Sequence, residues 1–383
     1  MNTQPAESIY QGFEQGPIRP PSEAHSLLIR VTRNCPWNRC TFCPVYKGSE
    51  FSIRPVAHVK RDIDAVHQQV EKLRRLENEP ARLTQAGLLD SPPEDRPALN
   101  AAFHWVAGGL DSVFLQDANS LIVKPADLID ILTHLKRRFP WIKRITTYAR
   151  SHTIARIRDE HLRAFQDAGL NRIHIGLESG SDQVLERVRK GVTKAIHIKA
   201  GLKVKRSGME LSEYVMPGLG GRALSRVHAL ETADALNQIN PDFIRLRTLA
   251  IPDTVQGFKD AGNLRFEKCS DHMIVEEILL LIENLNGIAS VVKSDHILNL
   301  FEEVDGRLPE DKSKITRPLR DFLALAPRQQ MQFQLGRRLG LFSRLDDMQS
   351  RHRLARVEEA CRRLGVTPET IDDVTDQLMK HFI

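Results

Sequence analysis

No run of about 18 consecutive apolar residues occurs in the sequence, which excludes a membrane-spanning helix of ordinary length. The stretch Met1 to Pro21 is polar and lacks the apolar core that a secretory signal needs, so a cytoplasmic location is expected. Cysteine is scarce: among 383 residues only Cys35, Cys40, Cys43, Cys269 and Cys361 occur. An odd number, with three crowded together, does not make a disulfide framework and points to a reducing compartment. Internal repeats and low-complexity tracts are missing too, which sets aside solenoids and biased arrays. Nor is the charge one-sided: 55 Lys and Arg stand against 49 Asp and Glu, a net charge of +6. That balance permits an anionic substrate or a nucleic acid and selects neither. Runs such as Lys72-Leu73-Arg74-Arg75 and Lys136-Arg137-Arg138 read as solvated helix faces.

What the chain does have is the segment Cys35-Pro36-Trp37-Asn38-Arg39-Cys40-Thr41-Phe42-Cys43, directly after the apolar, strand-like run Leu27 to Val31. Thiolates this close suit a soft metal or an iron–sulfur cluster. A disulfide would leave one thiol over. A zinc site would need a fourth ligand, and no His or Cys follows at finger spacing. Three cysteines on a [4Fe–4S] cluster would leave one iron open to a substrate or cofactor.

Residues 1–24, with Pro5, Pro17, Pro20 and Pro21, read as an irregular extension. A strand at 26–32 is followed by a helix from Ala57 to Glu77, where Ile63, Val66, Val70, Leu73 and Leu76 form one apolar stripe. Residues 78–109, punctuated by Pro80, Pro92, Pro93 and Pro97, read as an insertion of loops and a short helix. Strands and helices then alternate. Strands are expected at 112–115, 144–148, 172–177, 210–216 and 243–249. The helices between and after them fall at 126–139, 153–168, 182–189, 194–207, 225–238 and 272–286, with a break at Gly191. Six βα units imply a parallel sheet, either curled into a barrel or open and doubly wound. Beyond residue 290 the pattern is helical, with helices expected at 295–300, 317–326, 328–339, 351–364 and 368–382. The expected organisation is an extension (1–24), an α/β body (25–290) and a helical C-terminal extension (291–383).

The cysteine segment resembles the cluster loop of the radical S-adenosylmethionine (radical SAM) superfamily. Phe42 stands in the place of the family's aromatic, and four residues rather than the usual three separate Cys35 from Cys40. The resemblance implies a (β/α)6 partial parallel barrel, with Cys35, Cys40 and Cys43 holding a [4Fe–4S] cluster and S-adenosylmethionine (SAM) as cofactor. Ligands of parallel barrels bind at the C-terminal strand ends, and these carry further likenesses. Leu115-Gln116-Asp117-Ala118-Asn119-Ser120 occupies the place of the family's glycine-rich motif without its glycines, so Asp117 and Asn119 are the candidate acceptors for the methionine ammonium. Asn119 and Ser120 also suit a helix N-cap, as does Ser151. Thr146 to Ser151 resembles the ribose-contacting strand end and brings in Tyr148. The run Gly176-Leu177-Glu178-Ser179-Gly180, with Lys190 before Gly191, resembles the branch containing the methylthiotransferases and relatives of oxygen-independent coproporphyrinogen oxidase. It makes Glu178 and Lys190 cofactor contacts. Met216-Pro217-Gly218-Leu219-Gly220-Gly221 resembles the turn whose backbone meets adenine and ribose, giving Gly218 and Gly220.

The implied activity is reductive cleavage of SAM to methionine and a 5′-deoxyadenosyl radical, which abstracts hydrogen from a substrate. Alternation points Arg172, His174, Gly176 and Glu178 inward on the fourth strand, His174 as a core histidine, and Arg245 and Arg247 inward on the sixth. Two inward guanidiniums fit a carboxylate or phosphate on the substrate, an ion pair to barrel acids being the alternative. Cys269 and Cys361 are too few for an auxiliary cluster. No further domain before the barrel and no β-rich RNA-binding tail are seen, so a stand-alone enzyme on a small or medium-sized substrate is expected. A flavodoxin or ferredoxin is the expected electron donor. An RNA-modifying enzyme, or an iron–sulfur carrier or sensor without radical chemistry, are the rival readings.

Overall fold

The computed structural model describes residues 9–77, 92–250 and 266–379; the start of the expected insertion and the last residues of the expected helical tail lie outside them. The chain opens with β1 (Leu27–Arg30), β2 (Thr32–Arg33) and β3 (Ser52–Ile53), then α1 (Val56–Glu77) and α2 (Arg96–Ala107). Next come β4 (Ser112–Gln116), α3 (Pro125–Arg138), β5 (Arg144–Tyr148), α4 (Ser151–Ile154) and α5 (Asp159–Asp167). They are followed by β6 (Arg172–Glu178), α6 (Asp182–Arg187), α7 (Lys194–Arg206), β7 (Glu210–Val215), α8 (Gly221–Ile239), β8 (Phe243–Leu246) and α9 (Asp271–Glu283). The chain ends with β9 (Val291–Lys293), β10 (Gly306–Arg307), α10 (Lys312–Leu323), α11 (Pro327–Arg338), α12 (Arg351–Leu364) and α13 (Ile371–Met379).

Local chemistry sets several of these boundaries. Pro125 opens α3, Asp127 lies in its first turn and Lys136, Arg137 and Arg138 in its last, as the helix dipole favours. Ser181 and Thr193 cap α6 and α7 through their hydroxyls. Asn240 closes α8 at φ +50°, the left-handed conformation that asparagine tolerates.

Eight strands form one mostly parallel sheet in the order β1-β4-β5-β6-β7-β8-β9-β10. Each strand of the six expected βα units neighbours the one before it in the chain. A doubly wound sheet would reverse direction part-way, so the order decides between the two expected topologies: the fold is α/β, of the partial-barrel class.

Several expectations are corrected. β9 and β10 were not expected: β9 joins β8 in parallel, Phe243 opposite Val291, and three residues are too few to show a period. No helix forms at 295–300. There the Asn299 side chain accepts the Thr248 N–H and donates to the Leu246 carbonyl, fastening an irregular segment to the end of β8. The helix expected at 153–168 is two, α4 and α5, because Arg158 is extended before the acidic first turn of α5. Ser151 does not cap; it begins α4 and its hydroxyl meets His197 Nδ1 at 2.6 Å. Asn119 makes no side-chain cap either.

The chain divides into two compact units, with the division inside β6. The first comprises Met1–Pro36, Gly48–Ala149 and Ile157–Ile173. It pairs β1 with β4 and β4 with β5, and it fastens the N-terminal segment. There Gln116 accepts the Gly16 N–H and donates to the Ile18 carbonyl, while Glu14 pairs with Arg33 and Arg54. The second comprises Trp37–Lys47, Arg150–Arg156 and His174–Ile383. Its main core joins Val215, Ile244 and Leu246 of the sheet to α8 and α9 and to the C-terminal helices, through Phe301, Phe322, Phe333 and Phe342.

Candidate functional site

In the first unit, Asp117 follows β4 at φ +71° and is fully buried. Its Oδ2 lies 2.6 Å from Arg30 Nε and accepts the Asn34 N–H at 3.3 Å. The carboxylate expected to receive an ammonium is thus engaged by a guanidinium. Tyr148 ends β5 half-exposed, its ring edge-on to Phe114 with 5.5 Å between centroids.

In the second unit the structure brings Phe42, Glu178 and Lys190 together. Lys190 Nζ lies 3.1 Å from Glu178 Oε1, both side chains are 14% exposed, and the same ammonium stands 5.7 Å from the Phe42 ring centroid. Glu178 holds φ +62°, an unusual conformation for a non-glycine residue, which turns its carboxylate back along the strand. Gly176 makes room for the pair: a Cβ there would lie 2.3 Å from Glu178 Oε1 and 3.0 Å from Lys190 Nζ. The turn after β7 brings Gly218 (φ +85°) against Leu249 and Ile274. Gly220 has an ordinary φ of −71°, and its need for glycine is steric, since a Cβ would lie 2.9 Å from the Leu224 carbonyl.

These strand ends are tied from behind by a buried network that sequence reasoning missed. Glu277 of α9 accepts the Gly218 N–H at 2.7 Å and the Ser225 hydroxyl at 2.5 Å. His228 of α8 donates from Nε2 to the Met216 carbonyl at 3.1 Å, and its Nδ1 is hydrogen-bonded to the Ser179 hydroxyl at 2.8 Å. Thr232 accepts the Gly180 N–H. Glu213 was also missed. It is fully buried and neither carboxylate oxygen has a hydrogen-bond partner among the described residues. Burial pushes its pKa well up, the Lys190 ammonium opposes this and the Glu178 carboxylate adds to it. Neither group has a spacing signature.

His174 is fully buried, with its ring edge-on to Tyr214. Arg245 pairs with Asp295, so the ion-pair alternative applies to it. Arg247 is exposed, beyond the end of β8.

The donor set fits a cluster. None of the five cysteines is disulfide-bonded, and Cys40 and Cys43 pack against Phe42, Val184, Val188, Met216, Leu219 and Leu249. Such an apolar shell limits solvent at the sulfurs. Among the described residues no three His, Cys, Asp or Glu side chains converge on one ion.

The profile described as the Radical SAM superfamily matches residues 29–233, more than half of the chain. The chain belongs to the radical SAM superfamily. Radical SAM proteins are enzymes that use a [4Fe–4S] cluster and SAM, and these are the cofactors here. Similar solved structures include methylornithine synthase (PylB), at 14% identity over 69% of this chain and 63% of that chain, with a TM-score of 0.42. Coproporphyrinogen III oxidase (HemN) from Escherichia coli is 14% identical over 68% of this chain and 52% of that one, TM-score 0.45. The radical SAM methyltransferase TsrM from Kitasatospora setae is 14% identical over 58% and 34%, TM-score 0.38. This chain spans less than two thirds of the length of each. No curated protein matches it. Among the described residues no helix is long and apolar enough to cross a membrane.

Proposed function

We propose that this radical SAM enzyme cleaves SAM reductively and abstracts hydrogen from a small or medium-sized anionic substrate, with Arg247 binding the anionic group. The observation that supports this is the contrast between two arginines. Arg245 is neutralised by Asp295, whereas Arg247 is exposed and has no carboxylate at ion-pair distance among the described residues. Burial and the Arg247 charge push the neighbouring His296 down to about 4, so its imidazole is neutral at physiological pH. His296 Nδ1 accepts the Leu298 N–H, which leaves Nε2–H as a donor. A guanidinium beside a neutral N–H donor suits a carboxylate or phosphate. When bound, the cluster and SAM supply the hydrogen-abstracting radical. The chain's part is to hold the cofactor at Glu178 and Lys190 and to keep water from the reacting atoms with the apolar shell around Phe42.

The test measures 5′-deoxyadenosine formed by reconstituted enzyme across a panel of carboxylates, phosphates and neutral metabolites. Arg247→Lys keeps the charge but loses the planar fork. It is expected to lower substrate-dependent turnover about tenfold or more while leaving substrate-free SAM cleavage unchanged. Equal loss of both, or stimulation by neutral compounds alone, would rule out the anionic substrate.

A further inference from the structure

The N-terminal segment is tied across the strand ends of the first unit. Gln116, fully buried at the end of β4, accepts the Gly16 N–H at 2.8 Å and donates to the carbonyls of Gly16 at 3.1 Å and Ile18 at 2.8 Å. One side-chain amide thereby spends its acceptor and both donors on this segment. Glu14 pairs with Arg33 at 2.8 Å and with Arg54 at 2.7 Å. Arg54 is buried, pairs with Asp62 of α1 at 2.6 Å and donates to the Arg30 carbonyl at 2.8 Å. At the far end the Tyr10 hydroxyl donates to Asp62 at 2.8 Å. Tyr10, Glu14, Gly16 and Ile18 are thus each fixed. Beneath Gly16 lies the Arg30–Asp117 pair: a Cβ at residue 16 would come within 2.6 Å of Asp117 Oδ1 and 3.3 Å of Arg30 Nε. The same pair holds the residue before Cys35. Asn34, at φ +65°, gives its N–H to Asp117, its side-chain carbonyl accepts from Arg30 at 3.3 Å, and its amide donates to the Glu50 carbonyl. A non-glycine residue stays left-handed only where its surroundings hold it, and Asn34 and Asp117 both do so.

We propose that residues 10–18 form a clasp on the root of the cysteine loop, with Asp117 as a positioning residue inside it, and that the clasp sets how firmly Cys35 keeps its iron. Both residues that lead into Cys35 are held by it: Arg33 directly through Glu14, and Asn34 through the Asp117 carboxylate on which Gly16 lies. Asp117, with a guanidinium already on it, serves the loop rather than a ligand's ammonium. A ligand residue whose backbone is fixed beforehand loses little freedom when it binds metal, and it leaves the metal correspondingly rarely. Loosening the root would free the Cys35 thiolate to dissociate, and iron lost that way becomes open to a chelator. This role rests on the cluster and is independent of the anionic substrate.

The test follows iron released to a ferrous chelator, without oxygen, from reconstituted wild type and from Gly16→Ala, Glu14→Gln and Asp117→Asn. Phe322→Leu, in the second unit's core, is the destabilised control. Each of the three clasp variants is expected to release iron about tenfold faster than wild type, and the control to stay near the wild-type rate. A second readout needs no cluster. Trypsin cuts after Arg33, Arg39 and Lys47, so the peptide Asn34–Arg39 reports Cys35 alone and Cys40–Lys47 reports the other two thiols. In apoprotein given a brief pulse of iodoacetamide, Cys35 should be alkylated faster in the variants, with Cys40–Lys47 labelled as in wild type. Wild-type iron release from both Gly16→Ala and Glu14→Gln overturns the proposal, as does equally fast release from Phe322→Leu. Equal acceleration at the two peptides also overturns it, since the variants would then loosen the fold as a whole. An Asp117→Asn protein that keeps its iron but binds SAM more weakly would return Asp117 to the cofactor and overturn its positioning role.

Discussion

Glu178 and Lys190 show how the backbone at one residue can position a candidate cofactor contact. A non-glycine residue at positive φ costs of order 1 kcal/mol or more and persists only where its surroundings hold it; Glu178 is held by its ammonium partner and by the room at Gly176. Glu178→Gln or Lys190→Ala should weaken SAM binding about ten- to a hundredfold, the worth of a charged hydrogen bond of roughly 1.5–3 kcal/mol. Equilibrium dialysis with iron content unchanged checks this. Glu213 behaves in the opposite way. Its pKa is raised in the fold, chiefly by burial, so it keeps its proton where the unfolded chain has released it. The folded state then binds more protons than the unfolded one. Stability falls as pH climbs above the ordinary glutamate range, by about 1.4 kcal/mol for each unit of upward shift. Glu213→Gln should therefore raise the melting temperature at pH 8, with the gain vanishing near pH 4. A gain that persists at pH 4 would show that titration is not its source.

At the scale of elements, the strand-end turns owe their positions to helices behind the sheet. Glu277 of α9 serves two donors in different segments, the backbone of Gly218 and the hydroxyl of Ser225. Glu277→Ala would leave both buried without that acceptor, at about 1–3 kcal/mol each. A loss of roughly 2–6 kcal/mol in all corresponds, for a chain of this length, to a melting temperature lower by about 3–7 °C. SAM affinity should fall as well, because the Gly218 turn loses its tether. Glu277→Gln keeps an acceptor for Gly218 and should recover most of both, as thermal unfolding and dialysis on the same preparations would show. Gly180 is under a related constraint. A Cβ there would come within 2.2 Å of the Glu231 carbonyl, so the turn and α8 sit closer than any larger residue allows.

For the molecule as a whole, the five cysteines divide into two chemical classes. Cys269 and Cys361 are buried in the second unit's core, at 3% and 9% exposure. Burial first, then the Glu277 carboxylate, pushes the Cys269 thiol up to about 12, and burial raises Cys361 as well. Neither offers a thiolate near neutral pH. Native apoprotein treated with iodoacetamide should accordingly take up three alkyl groups promptly and five after unfolding, counted by mass spectrometry. Reconstituted protein should hold about four irons per chain. Cys35→Ala, Cys40→Ala or Cys43→Ala should abolish that iron and Cys269→Ala should leave it; a full cluster in Cys40→Ala would defeat the assignment.

The cysteine triad, the run from Gly176 to Gly180, the split at Gly191 and the alternation of β4 to β8 with helices were all legible in the chain. Each is written in contiguous residues, whose spacing sets the period of a strand or helix and the reach of a ligand loop. Sequential strand order, which separates a singly wound from a doubly wound sheet, was not legible, because periodicity says that a strand exists and not which strand lies beside it. The same holds for the three-residue β9, for the segment at 295–300 that Asn299 draws onto β8, and for Asp295, which takes Arg245 across 50 residues of chain. Alternation placed Arg245 and Arg247 alike; only the tertiary structure gave one a carboxylate and left the other exposed. Partners of buried charges come from distant segments, and burial and charge pairing depend on distance in space rather than on separation along the chain.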